Sequence, residues 1–148
     1  MSSTSYNAPL KDMLFVLNEL ADLPAINALP GCQDATPDTV EAILEEKAKF
    51  CGGIVAPLNW PSDKEPSYWH EGSVTTSKGF KEAFKAFGDA GWQGIQHSTD
   101  FGGQGLPKLI AAACIEMMNS ASISFALCPL LTDSAIEALL TAGSDQQK

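Results

Sequence analysis

Phe101-Gly102-Gly103-Gln104-Gly105-Leu106-Pro107 is a glycine-rich turn that delivers a proline to the first turn of a helix. Along the helix that follows, Leu106, Ile110, Ala113 and Met117 recur at helical spacing, flanked by Leu109, Ala112 and Glu116. Free backbone N–H groups at such a helix start attract anions, so the turn invites a phosphate-binding reading. The pattern, however, is neither GxGxxG nor GxxxxGK[ST], and no predicted strand–helix–strand unit surrounds it. It reads as a structural turn between helices, which turns the fold away from dinucleotide-binding α/β and toward all-α.

The neighbouring segments agree. Downstream, Asn119 and Ser120 precede a short apolar stretch leading to Pro129, and a helix over about residues 130–142 carries Leu131, Ala135, Ala138 and Leu139 before closing at Gly143. Upstream, residues 78–90 place Phe80, Ala83, Phe84 and Phe87 on one helical stripe, an ordinary core face; Gly91 ends that helix, and Trp92 to Ile95 read as extended. Thr36-Pro37-Asp38 is a capped helix start. The helix it opens runs to Phe50, with Val40, Ile43, Leu44 and Lys47 on one face and Gly52-Gly53 as its end. A first amphipathic helix over roughly residues 9–21 carries Leu10, Met13, Leu14 and Leu17, and Pro24, Pro30 and Gly31 break the chain after it.

Between Gly52 and Thr76 lie three prolines, three glycines, Trp60 and Trp69, without a sustained period. A loop this long is uncommon in a compact domain, and its aromatics favour docking against something else. The expected fold is therefore an irregular all-α bundle of about five to six helices with long connecting loops.

Composition narrows the function classes. The 148 residues carry a net charge of -9, from 18 acidic and 9 basic side chains, and every basic one is lysine. Without arginine the chain lacks the planar fork that grips phosphate or carboxylate in bidentate fashion. The lysines are scattered, so no nucleic-acid partner is expected, and a neutral or apolar ligand surface fits better. The longest apolar run, residues 123–131, is interrupted by Ser124 and Pro129 and falls short of the ~18 residues of a membrane span. The opening Met1-Ser2-Ser3-Thr4-Ser5 has neither the basic nor the apolar region of a secretory signal, so a cytoplasmic address is expected.

Cys32, Cys51, Cys114 and Cys128 form no CxxC pair and read as reduced, mostly buried thiols. His70 and His97 stand alone in loops, so no metal site is indicated. Cys51 or Cys114 could be paired on paper with either histidine, but no local signature supports a nucleophile. No catalytic residue is assigned.

Ser144-Asp145-Gln146-Gln147 has the capping-box arrangement, a hydroxyl at the cap and a glutamine three positions on. A new helix thus opens just before Lys148, and the expectation is a chain truncated at that helix.

Taken together, three stretches resemble the acyl-CoA dehydrogenase family of flavoenzymes: Gly91-Trp92 leading to Phe101-Gly102-Gly103-Gln104-Gly105-Leu106, the helix through Ile115-Glu116-Met117, and Ala142-Gly143-Ser144-Asp145-Gln146-Gln147-Lys148. Tyr6 and the run from Ala8 to Leu17 are similar to the extra N-terminal segment of a subset that includes enzymes acting on methylmercaptopropionyl-CoA. The sequence departs from the family where His97-Ser98-Thr99 precede Asp100 in place of the frequent Pro-Glu.

The resemblance implies an N-terminal extension over residues 1–35 and, over residues 36–148, the family's N-terminal helical domain. It implies that the parent enzyme binds FAD, oxidises an acyl-CoA and passes electrons to a separate acceptor. The FAD and the glutamate base belong mostly to a middle β-domain and a C-terminal bundle, so this chain is expected to be inactive alone. Leu127, Leu130 and Leu131 are the expected lining of the acyl pocket, with ordinary core packing as the alternative. The competing reading is a self-contained helical module that binds a protein partner. On either reading, apolar faces are expected to drive self-association.

Overall fold

The computed structural model describes residues 5–148; residues 1–4, where the reading for a leader peptide begins, lie outside it. The described chain is largely helical, and strand is confined to one two-stranded hairpin, as the all-α reading expects. The helices are α1 (Leu10–Phe15), α2 (Leu23–Asn27), α3 (Pro37–Phe50), α4 (Ala56–Lys64), α5 (Phe80–Asp89), α6 (Lys108–Ala121) and α7 (Ile123–Ala142). The hairpin strands are β1 (Tyr68–His70) and β2 (Ser73–Thr75).

α6 is the central element, packed against both α3 and α7. Ile110, Cys114 and Met117 of α6 meet Val40, Leu44 and Phe50 of α3 and Phe125 and Ala126 of α7 in one buried cluster, to which α1 adds Met13. The aromatic stripe of α5 is the core face its spacing implied. Phe87 stands 6.2 Å from Phe50 and 6.5 Å from Phe125, and Phe80 meets Phe125 edge-on at 5.6 Å. Phe84 belongs to the same stripe but remains 44% exposed.

The structure departs from several local expectations. Gly52-Gly53 does not end α3. The helix continues through a π turn, Cys51–Val55, directly into α4, and a Cβ on Gly52 would meet the Tyr6 carbonyl at 2.8 Å. Glycine there serves the close approach of the N-terminal strand of chain, not termination. Pro57 and Pro61 both lie within this continuing helix, each at the expense of one helical N–H donor, so the expected long loop is in part helix. The remainder forms the hairpin, in which Glu71 (φ 46°) and Gly72 (φ 83°) make a two-residue turn with His70 opposite Ser73.

Pro24 likewise sits in the first turn of α2 instead of breaking the chain, with Asp22 as the cap. A π turn, Val16–Leu20, extends α1. Trp92–Gly94 is a 3₁₀ turn, not extended, because the positive φ of Gly91 starts a tight turn that Gly94 N–H closes on the Gly91 carbonyl at 3.1 Å. Two thiols, Cys51 and Cys114, are buried; Cys32 is half-buried and Cys128 exposed.

The largest correction concerns α7. Its 20 residues include both Ser124 and Pro129, so the apolar segment is one continuous helix, long and apolar enough by length and composition to cross a bilayer. Only 17% of its apolar stretch is buried. Proline survives inside it because the ring is buried against the core, at the expense of one helical hydrogen bond to the Phe125 carbonyl.

Candidate functional site

α7 presents two different faces. Phe125, Ala126 and Pro129 point into the core, whereas Ile123, Leu127 and Leu131 share the opposite stripe, with Leu127 54% and Leu131 70% exposed, and Leu130, 38% exposed, lies at its edge. The three leucines expected to line a pocket are therefore brought together, on an open surface. Leu130 also borders a small internal cavity whose wall includes Lys47, Trp92, Asn119 and Asp133. Beside the stripe, Val74, Phe80, Phe84, Phe125 and Cys128 line an apolar groove of about 460 Å³.

One polar cluster ties α7 to the turn before α6. His97 Nε2 donates to Asp133 Oδ1 at 2.8 Å, and Gln93 Nε2 donates to the same oxygen at 2.7 Å and to the Pro129 carbonyl at 3.3 Å. A carboxylate only accepts, so His97 carries a proton on Nε2. His97 is 7% exposed, and its Nδ1 has no partner among the described residues. At the next turn of α7, Glu137 pairs with Lys108 at 3.1 Å on the surface.

A second cluster lies deeper. Lys47 is 2% exposed, with Nζ 4.6 Å from the Trp92 centroid, 4.9 Å from Phe87 and 5.3 Å from Phe50. Its hydrogen-bond partner is the Met118 sulfur at 3.8 Å. Burial holds the amine below its ordinary pKa, although the Cys51 and Cys114 sulfurs work the other way. Burial also pushes both thiols up to about 11, against the influence of Lys47. These sulfurs are inert as thiolates near neutrality. Tyr6 is raised by burial, with a hydrogen bond to Ser120 opposing.

The glycine turn offers no anion cradle. The N–H groups from Phe101 to Leu106 are all consumed by backbone carbonyls, Gly103 by Ser98, Gln104 by Gly94, Gly105 by His97 and Leu106 by Ile95. The turn is structural. No group of three or more His, Cys, Asp or Glu is gathered among the described residues.

Sequence reading missed both clusters. For Asp133 a signal existed: with Glu137 it is one of two charged side chains in a largely apolar helix, and an acid there needs a partner. For Lys47 the signal was its position on the apolar face of α3.

The Gly-Gly-x-Gly turn before α6 and the Ser144–Gln147 contact after α7 are two of the stretches that carry the family resemblance. The chain belongs to the acyl-CoA dehydrogenase family: residues 33–148 match the family's N-terminal domain. It is similar to 3-methylmercaptopropionyl-CoA dehydrogenase of Ruegeria pomeroyi, with 43% identity over 144 residues, covering 97% of this chain and 24% of that protein. The chain thus spans about a quarter of the length of that relative.

Proposed function

We propose that this chain is the N-terminal helical part of an enzyme that oxidises the Cα–Cβ bond of an acyl-CoA thioester, with α7 forming one wall of the acyl pocket. The observation that carries the reading is the exposed stripe of Leu127, Leu130 and Leu131 on a helix of this family's N-terminal domain. Apolar side chains at one-turn spacing suit an alkyl tail, whose transfer from water is favourable by about 25 cal/mol per Å².

Residues 1–35 act as an extension to the domain over residues 36–148. The cofactor of the whole enzyme is FAD, which when bound supplies the hydride acceptor of the family chemistry. The spent N–H groups of the glycine turn and the absence of arginine do not fit a diphosphate cradle here. FAD is therefore held by other parts of the enzyme, as is the carboxylate base, and this chain supplies tail binding. Four free thiols suit a reducing, cytoplasmic setting, and reoxidation uses a separate electron acceptor.

The test is made on the full-length gene product. It is expected to carry flavin and to reduce a dye when given an acyl-CoA, with kcat/KM falling about tenfold or more in Leu130→Glu. A flavin-free product without turnover would overturn the reading and favour the interaction module.

A further inference from the structure

We propose that Asp133, gripped by His97 and Gln93, is a positioning residue that sets the acyl-chain-length preference of the enzyme by fixing the second half of α7. The inference rests on the acyl-pocket reading above and adds to it the device that aims the pocket wall.

Three observations carry it. Pro129 removes one helical hydrogen bond, which leaves a soft point in α7 between Leu127 on one side and Leu130 and Leu131 on the other. The Gln93 amide reaches both Pro129 and Asp133, bridging successive turns across the start of the second half. The Asp133 carboxylate is enclosed, its side chain 18% exposed and that of His97 8%, so neither is a surface ion pair free to rearrange.

The other side of the clamp is rigid. The chain from Gly94 to Leu106 is knit by backbone hydrogen bonds from Gln104, Gly105 and Leu106 to Gly94, His97 and Ile95. An added Cβ on Gly103 would run into the His97 carbonyl, so the turn closes directly behind the histidine. Loop, histidine and helix therefore move as one body. Without Asp133, both His97 ring nitrogens would be buried and unpartnered, and α7 would be free to bend at Pro129. A stripe of leucines whose second half can turn no longer holds a tail of one length in one place.

The experiment compares Asp133→Ala and Asp133→Asn in the full-length flavoenzyme, with a short-chain and a long-chain acyl-CoA. In Asp133→Ala the ratio of kcat/KM between the two substrates is expected to move at least fivefold, mainly through KM. Asp133→Asn keeps an oxygen acceptor for His97 and Gln93 and should restore the wild-type ratio. A merely structural role would lower the yield of folded enzyme and scale both substrates alike. An unchanged ratio in folded Asp133→Ala overturns the proposal, as does a failed rescue by asparagine. Should Asp133→Ala not fold, Gln93→Leu decides: it leaves the His97–Asp133 bond and should shift the ratio in the same direction by a smaller factor, and no shift overturns the proposal. Wild-type enzyme without acyl-CoA oxidation would remove the underlying reading and this proposal with it, whereas active wild type with unmoved ratios removes this proposal alone.

Discussion

Lys47 lays its amine 4.6 Å from the centre of the Trp92 ring, inside the core and with no carboxylate among the described residues hydrogen-bonded to it. Three rings repay part of the desolvation, about 0.5 to 2 kcal/mol each by the usual range, but a buried charge costs several. Lys47→Met keeps the volume and removes the charge. It is expected to stabilise the chain by about 1 kcal/mol at pH 7. Because burial lowers the folded-state pKa, the unfolded chain binds more protons between that value and the ordinary lysine value of 10.5. The wild type therefore gains stability as pH rises through that window, and the advantage of methionine should shrink toward pH 10. Paired urea melts at pH 7 and pH 10 check it; an advantage that grows with pH would contradict the assignment.

Two glycines separate space from strain. Gly103 faces the His97 and Ser98 carbonyls, so Gly103→Ala must shift backbone and is expected to cost at least about 2 kcal/mol. Gly88 lies in α5 with nothing near its missing Cβ, so Gly88→Ala should instead gain about 0.5 to 1 kcal/mol of helix stability. Thermal melts of the two variants should move in opposite directions.

These sites also show what a single sequence reveals. The period of Ile110, Ala113 and Met117 and the stripe of Phe80 and Phe87 are written in residue spacing, and both become core faces. The Ser144–Gln147 contact is equally local but makes only half of the expected capping box: Gln147 Oε1 accepts from the Ser144 N–H at 2.9 Å and from its hydroxyl at 3.1 Å, and residues 145–147 form a turn instead of the expected new helix. Gly52, Pro57 and Pro129 mislead for the converse reason. A glycine required by the Tyr6 carbonyl and a proline sheltered in a helix look, in sequence, like breakers. The Glu71-Gly72 turn escapes because glutamate rarely adopts positive φ. His97 and Asp133 are 36 positions apart, and no local pattern couples them. Leu127, Leu130 and Leu131 were named through the family resemblance, with Leu127 ahead of the expected helix; that one continuous helix carries all three and exposes them follows only from the fold.

Thiol reactivity should divide the four cysteines. Burial pushes Cys51 and Cys114 up to about 11 and also blocks access, so at pH 8 a disulfide reagent should leave both unmodified in the folded chain. Cys128 is exposed and should react first, with half-buried Cys32 slower. All four should react in denaturant. Peptide mapping after brief labelling gives the order, and early modification of Cys114 would show that the core around Lys47 opens.

The exposed side of α7 predicts behaviour in solution. Ile123, Leu127 and Leu131 recur at i, i+4 and i+8 and form an apolar stripe open to water. Tyr68, Trp69 and Val74 of the hairpin are exposed as well, and a two-stranded hairpin is marginal without packing. Burying such surface is favourable by about 25 cal/mol per Å², so the 148-residue chain should self-associate as its concentration rises. Leu127→Lys with Leu131→Lys places two cations in the stripe. Neither side chain belongs to the buried cluster, so the fold should be retained while self-association is lost. Sedimentation velocity across a concentration series distinguishes the outcomes: a monomer at every concentration for the unaltered chain would contradict association, and unchanged association in the double variant would locate it on the hairpin instead.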